Sequence, residues 1–165
     1  VLERLAREEP RRGAVVARVG LRDLAVLYEV REVLEGLAAR LAVENSGRRL
    51  VRALHETTDE HEQSVAAGDM EQHMFHDLHF HALIRDAAGN AEVKRLLDDI
   101  QTQVRLAMQT TAITAGPQRA LADHRVLLAA IESGDPIAAE QAARAHIARL
   151  RQALLERTDD EAVAG

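Results

Sequence analysis

From Leu21 to about Arg157 apolar residues recur at steps of three and four, the spacing of positions that share one face of an α-helix. Leu24, Leu27, Val30, Val33, Leu34, Leu37 and Leu41 mark a first helix, which Asp23 can cap and which ends near Asn45-Ser46-Gly47. A second is expected from about Arg48 to Ala67 on Leu50, Leu54 and Val65, with Gly68 as its stop. Asp69 caps a third that runs through Ala88 to Gly89, and Asn90 caps a fourth through about Ile113. Pro117 starts a fifth that closes at Ser133-Gly134. Asp135-Pro136, a capping carboxylate followed by a proline in the first turn, opens a sixth to about Arg157. Short turns between these helices predict an all-α fold, an antiparallel bundle of about six helices.

The first twenty residues have a different pattern. VLERLAREE is helical in period and has no initiator Met, so it is expected to be the end of an element from a longer protein. PRRGAVVARV combines a proline, a basic pair, a glycine and a β-branched run, which predicts a turn into a short strand, the only strand-like stretch. TDDEAVAG at the other end is expected to fray. The chain therefore divides into residues 1–20, a helical domain over 21–158, and a tail over 159–165.

Composition narrows the chemistry. At 165 residues with 47% hydrophobic and 2% aromatic side chains, the chain can build one domain around an aliphatic core. It has no Cys, which excludes disulfides, thiolate metal sites and cysteine nucleophiles, so any metal ion must be held by nitrogen and oxygen. No apolar run of membrane-spanning length and no basic-then-apolar leader occurs, which makes cytoplasmic the default location and a membrane partner unexpected. A formal charge of -6 argues against polyanion binding by the chain as a whole. The charge is uneven: Arg4, Arg7, Arg11, Arg12 and Arg18 face only Glu3, Glu8 and Glu9 in residues 1–20, so the basic bias lies at the N-terminus.

Polar residues on apolar stripes are the candidate chemistry. The third helix contains HMFHDLHFH, and Met70, Met74, Asp77, His81 and Ile84 form one stripe along it. Asp77 and His81 sit one turn apart on the face expected to enter the core, His73 borders it, and His76 and His79 are expected to be exposed or at a helix contact. His124 stands among Leu121, Leu128 and Ile131 on the fifth helix, and His146 among Ala139, Ala142, Leu150 and Ala153 on the sixth. A single buried imidazole is ordinarily a hydrogen-bonded core residue. A buried carboxylate needs a cation, and no Lys or Arg shares the stripe of Asp77. One Asp and three His can either chelate a divalent ion or form a buried polar network. His55 and His61, among Glu56, Asp59, Glu60 and Glu62, are read as a solvated acidic face.

Enzyme templates find no match. No His follows a Glu at the three-residue spacing of di-iron bundles, His-Glu-x-x-His is absent, and there is neither a glycine-rich phosphate loop nor a nucleophile elbow.

Several stretches, in order, are PRRGAVVARV, LYEVREVLEGLAARLA, AAGDMEQHMFHDLHFHALIRDAAGN and DHRVLLAAIESGDPIAAEQAARAHIARL. With them the chain resembles the C-terminal effector domain, of FCD type, of GntR-family transcription regulators in the FadR-like branch. The resemblance implies a divalent metal ion on Asp77, His81, His124 and His146, the positions the stripes single out. Zinc is the expected ion, with nickel or manganese as alternatives. It also implies an upstream winged-helix domain that binds DNA, with residues 1–20 its remnant, a homodimer, and a small carboxylate metabolite as effector. VLERLAREE followed directly by PRRGA is short for a recognition helix, strand and wing, so this chain alone is not expected to read an operator.

Arg31, in EVREVLE, matches a recurrent arginine of that family and is expected to pair with the effector carboxylate, or else with Glu35 one turn on. Tyr28 and His73, the latter where the family usually has an apolar or aromatic residue, are further effector candidates. A non-enzymatic, ligand-responsive transcriptional regulator is the expectation. The alternatives are a metal-dependent helical-bundle hydrolase and a bundle with a purely structural metal.

Overall fold

The computed structural model describes residues 6–9, 13–16, 21–111 and 116–163. Two strands open it, β1 (Ala6–Glu9) and β2 (Gly13–Val16), paired antiparallel with Ala6 opposite Val16 and Glu9 opposite Gly13. This corrects the helical reading of VLERLAREE over its last four residues, and it means that β2 is not the only strand. An isolated strand leaves its backbone donors and acceptors unpaired, and the segment three residues upstream supplies the ladder. Residues 1–5, 10–12 and 17–20 lie outside the described residues.

Six helices follow: α1 (Leu21–Asn45), α2 (Arg48–Ala67), α3 (Met70–Ala87), α4 (Ala91–Thr111), α5 (Pro117–Glu132) and α6 (Pro136–Val163). Their ends are set locally. The Asp69 carboxylate accepts from the Gln72 amide at 3.0 Å, Asn90 Oδ1 from Glu92 and Val93 at 3.1 Å, and Asp135 Oδ1 from Ile137 at 2.9 Å. Gly68 closes α2 at φ 68°, a left-handed conformation that favours glycine. Two boundaries differ from expectation. α1 already starts at Leu21, which places Asp23 in the first turn, where its charge still opposes the helix dipole. α6 continues to Val163, because TDDEAVA contains no Gly or Pro to stop it. The residues after Thr111, Ile113 among them, lie outside the described residues up to Gly116.

α1 packs along α6 and also meets α3, α4 and α5. A Cβ on Gly36 would stand 2.5 Å from Arg144 Cγ, so the missing side chain lets α1 and α6 approach. That approach rotates the buried face of α1 away from the expected stripe. Leu24, Tyr28, Arg31, Glu35, Ala38, Ala39 and Ala42 are buried, whereas Val30 and Val33 are 51% and 52% exposed. Small residues at the closest contact let α6 cover that face and leave the valines outside.

The apolar interior has two parts. One gathers Leu54, Phe80, Ile84, Leu97, Leu127 and Ala143; the other gathers Leu24, Tyr28, Ile100, Val104, Ile147 and Leu154. On α1 the seam between them falls at Arg31 and Glu35, and on α6 at His146, so the polar residues meet where the two clusters adjoin. Among the described residues no helix is long and apolar enough to cross a membrane.

Candidate metal centre

Three helices bring three imidazoles together. His81 of α3, His124 of α5 and His146 of α6 are buried, and each offers a ring nitrogen within 4.8 Å of those of the other two. Their ring centroids are 5.1, 5.2 and 5.3 Å apart, close to an equilateral triangle. Asp77 stands at its edge, with Oδ1 3.4 Å from His124 Nε2 and its side chain 31% exposed. The four residues singled out by their stripes are therefore neighbours in space. Met70, expected on the same stripe, is exposed instead, and the buried face of α3 runs through His73, His76, Phe80, His81 and Ile84.

The donor set fits a divalent ion. His81 Nδ1, His124 Nδ1, His124 Nε2 and His146 Nε2 are buried and have no hydrogen-bond partner among the described residues, an arrangement that leaves lone pairs unused inside a core. Three neutral imidazoles and one carboxylate would use them, as N- and O-donors suit zinc and its neighbours. Burial pushes His124 well below the ordinary imidazole range, with Asp77 opposing, and burial also lowers His146. Burial alone would raise the Asp77 carboxyl, but His124, His81, His146 and Arg31 outweigh it and hold it low.

Carboxylates stand behind two of the imidazoles, a feature the sequence reading missed. Glu35 Oε2 is 3.6 Å from His81 Nδ1, and Asp123 Oδ2 is 3.3 Å from His146 Nδ1. The Asp123 contact is a hydrogen bond, which fixes the ring orientation of His146 and turns its other nitrogen inward, whereas Glu35 stands beside His81 Nδ1 as a charged neighbour beyond hydrogen-bond distance. Asp123 is itself gripped by Arg149 at 2.8 and 3.2 Å; with His146 this outweighs burial and holds it at about 2. Phe80 stacks flat on His124 at 4.2 Å and fixes the third ring by packing. Asp123 was findable, since it directly precedes His124; Glu35 was in view only as a partner of Arg31.

A cavity of about 150 Å³ adjoins this cluster, lined by Tyr28, Arg31, His73, Asp77, His81, Gln101 and His146, with a mostly apolar remainder. Arg31 lines it while its Nε donates to Glu35 Oε1 at 3.3 Å, so the pair with Glu35 one turn on is formed and the residue still borders the cavity. Tyr28 lies beneath the guanidinium, 5.3 Å from ring centroid to Arg31 Cζ.

His61 corrects the reading of a solvated acidic face. It is fully buried, its Nε2 lies 2.6 Å from His73 Nδ1, and its ring lies 5.4 Å from that of His124. The reason is periodic: Leu50, Leu54, Thr57, His61 and Ser64 form one buried face of α2, and the surrounding acids occupy the other. His76 is buried at a helix contact, with Nδ1 3.5 Å from Glu60 Oε2, while His79 is exposed and stacks on Phe75. His55, 50% exposed, is solvated as expected.

The buried imidazoles make stability depend on pH. His61 is lowered to about 4 by burial, with Asp77 opposing, against about 6.5 in an unfolded chain. Below pH 6.5 the unfolded chain takes up a proton that the folded site resists, so this stability is full above pH 6.5 and is lost as pH falls towards 4. Urea unfolding of the chelator-treated chain should show a loss of roughly 3 kcal/mol from His61 alone across that window. A flat profile between pH 7 and 4.5 would contradict a set of neutral buried histidines.

Comparisons with known proteins agree with this architecture. The model of the FCD domain matches residues 26–149. A curated relative, the probable D-xylose utilization operon transcriptional repressor of Paenarthrobacter nicotinovorans, is 29% identical over 138 residues, covering 82% of this chain. The chain spans 60% of the length of that relative. Among solved structures, E. coli McbR/YncC superposes with a TM-score of 0.81 at 20% identity, over 93% of this chain and 78% of that one. Streptococcus agalactiae GntR gives 0.69 at 23% identity, over 92% and 76%. The metal-free FCD domain of TM0439 gives 0.65 at 17% identity, over 86% and 97%. At such identities the superpositions establish the fold alone, and the domain match establishes the family: the chain belongs to the FCD-domain family.

Proposed function

We infer that this chain is the effector-binding part of a transcription regulator. It holds a divalent metal ion on Asp77, His81, His124 and His146 and binds a small carboxylate beside it, with Arg31 and Tyr28 as further contacts. The observation that carries this reading is the buried triangle of His81, His124 and His146 opening onto an arginine-lined cavity. When bound, the ion would supply a fixed positive charge and open positions for carboxylate oxygens. Arg31 pairs with the carboxylate, and the mostly apolar wall excludes competing water.

The relative described as an operon repressor supports regulation, with DNA bound by a winged-helix domain for which β1 and β2 are a remnant. In a homodimer, an effector that favours one packing of α1 against α3 and α6 would change the spacing of two such domains; affinity for the two packings must differ. Glu35 and Asp123 are turned to the backs of His81 and His146 and engaged by arginines, which supports a binding site over the hydrolase alternative. Calorimetry of the zinc-loaded chain against a panel of short carboxylates tests the reading. Heat of binding that disappears in Asp77→Ala is expected; affinity unchanged by that substitution would sink the metal-centred version. Binding lost on Arg31→Ala but indifferent to chelation would point to a purely structural metal.

A further inference from the structure

His61 and His73 hold no metal in the reading above, yet they are buried and paired, and His73 lines the cavity. Their facing nitrogens, His61 Nε2 and His73 Nδ1, are 2.6 Å apart, and the rings stack at 4.8 Å. At that separation the facing nitrogens cannot both carry a proton. One of the two must donate and the other accept.

The far nitrogens decide which. His61 Nδ1 is buried without a partner, and an orphaned N–H is rarer inside proteins than an orphaned acceptor. His61 therefore leaves Nδ1 bare, carries its proton on Nε2, and donates to His73 Nδ1. A neutral imidazole that accepts at Nδ1 has its own proton on Nε2. Because His73 lines the cavity and spends Nδ1 on His61, its remaining nitrogen is an N–H donor available to a ligand. Gln101, on α4, lines the same cavity, and its Oε1 is buried with no hydrogen-bond partner among the described residues.

We propose that His61 fixes the tautomer of His73, and that His73 Nε2–H with Gln101 Oε1 selects a short carboxylate that bears a hydroxyl further along its chain. A methylene at that place leaves both groups unpaired, whereas a hydroxyl accepts from one and donates to the other. The proposal rests on the carboxylate-binding reading and assigns a selectivity to it. His73 is then a specificity residue, and His61 a positioning residue that acts through it.

The test uses the zinc-loaded full chain with butanoate, β-hydroxybutanoate and γ-hydroxybutanoate as probes. The α-hydroxy isomer is left out because its hydroxyl can chelate metal directly. At least one hydroxy acid should bind about tenfold tighter than butanoate, and the ratio should fall towards one in His73→Phe and in His61→Phe. Ring-nitrogen NMR reads the tautomers directly: in the unsubstituted chain both His61 and His73 should carry their proton on Nε2, and in His61→Phe His73 should lose that preference. Butanoate binding as tightly as both hydroxy acids overturns the selectivity while leaving the carboxylate reading intact. No binding by any of the three acids or by the panel of short carboxylates removes the carboxylate reading and this proposal with it. A proton on His61 Nδ1, or a second zinc ion per chain bound through His61 and His73, overturns the tautomer argument.

Discussion

Zinc added to the metal-free chain is expected to raise Tm by about 10 °C at free zinc a thousandfold above Kd. The figure follows from linkage: a ligand at that excess adds about 4 kcal/mol to the folded state, and each kcal/mol moves Tm by about 2–4 °C for a chain of this size. The folded site offers three imidazoles already within ligand distance of one another, so little ordering entropy is spent on binding. Asp77→Asn should remove most of the shift and lower the metal-free Tm less than loss of a core imidazole does, because Asp77 is half-buried at the cavity edge and not packed in the core. His124→Ala should remove the shift and also destabilise the metal-free chain, since His124 is fully buried against Phe80. Asp123→Asn should weaken zinc by about 10- to 100-fold, through the orientation of His146 alone. Differential scanning fluorimetry with and without chelator, followed by zinc titration, separates these effects. A shift that survives both Asp77→Asn and His124→Ala would place the metal elsewhere.

How much of this was legible beforehand depends on what each residue's position requires. Helix ends were readable because they are set by local chemistry: Asp69, Asn90 and Asp135 cap the helices they were expected to cap. The burial of His81, His124 and His146 was readable because each interrupts a stripe of apolar neighbours. His61 lies on an equally regular stripe, seven residues after Leu54, but charged neighbours in sequence hid it. On a helix, adjacent residues point elsewhere, so position on the face carried the information and local composition misled. Val30 and Val33 failed for the opposite reason. Nothing within α1 tells that Gly36 and the alanines after it will draw α6 onto one side, since that choice depends on the partner helix. The strand over Ala6–Glu9 likewise depends on β2, because its period alone is equally compatible with a helix. The carboxylates behind the imidazoles needed two or three helices to be placed before they had a meaning.

Glu35 is where the second large effect is expected: Glu35→Ala should cost about 3–5 kcal/mol and weaken zinc binding as well. Its carboxylate is 3% exposed and meets Arg31 Nε at 3.3 Å, Arg85 at 3.6 Å and His81 Nδ1 at 3.6 Å. Burial would push Glu35 up, but His81, Arg31 and Arg85 outweigh it and hold it far below the usual carboxylate range. Among the described residues, removing it leaves Arg31, 4% exposed, without its short ion pair, and leaves Arg85 with the half-exposed Asp98 at 3.2 Å. An unpaired buried guanidinium costs more than the pair contributes, which is why the single substitution should be worse than Glu35→Gln or the charge-removing double variant Arg31→Met, Glu35→Met. His81 meanwhile loses the carboxylate beside its Nδ1, so a zinc affinity reduced about tenfold is expected even at temperatures where the variant stays folded. Urea unfolding with a double-mutant cycle over Arg31 and Glu35 measures the first effect, and competition with a zinc chelator measures the second. If Glu35→Gln left both quantities within experimental error, α1 would not be coupled to the metal centre, and an effector paired with Arg31 would have no physical route from His81 to that helix.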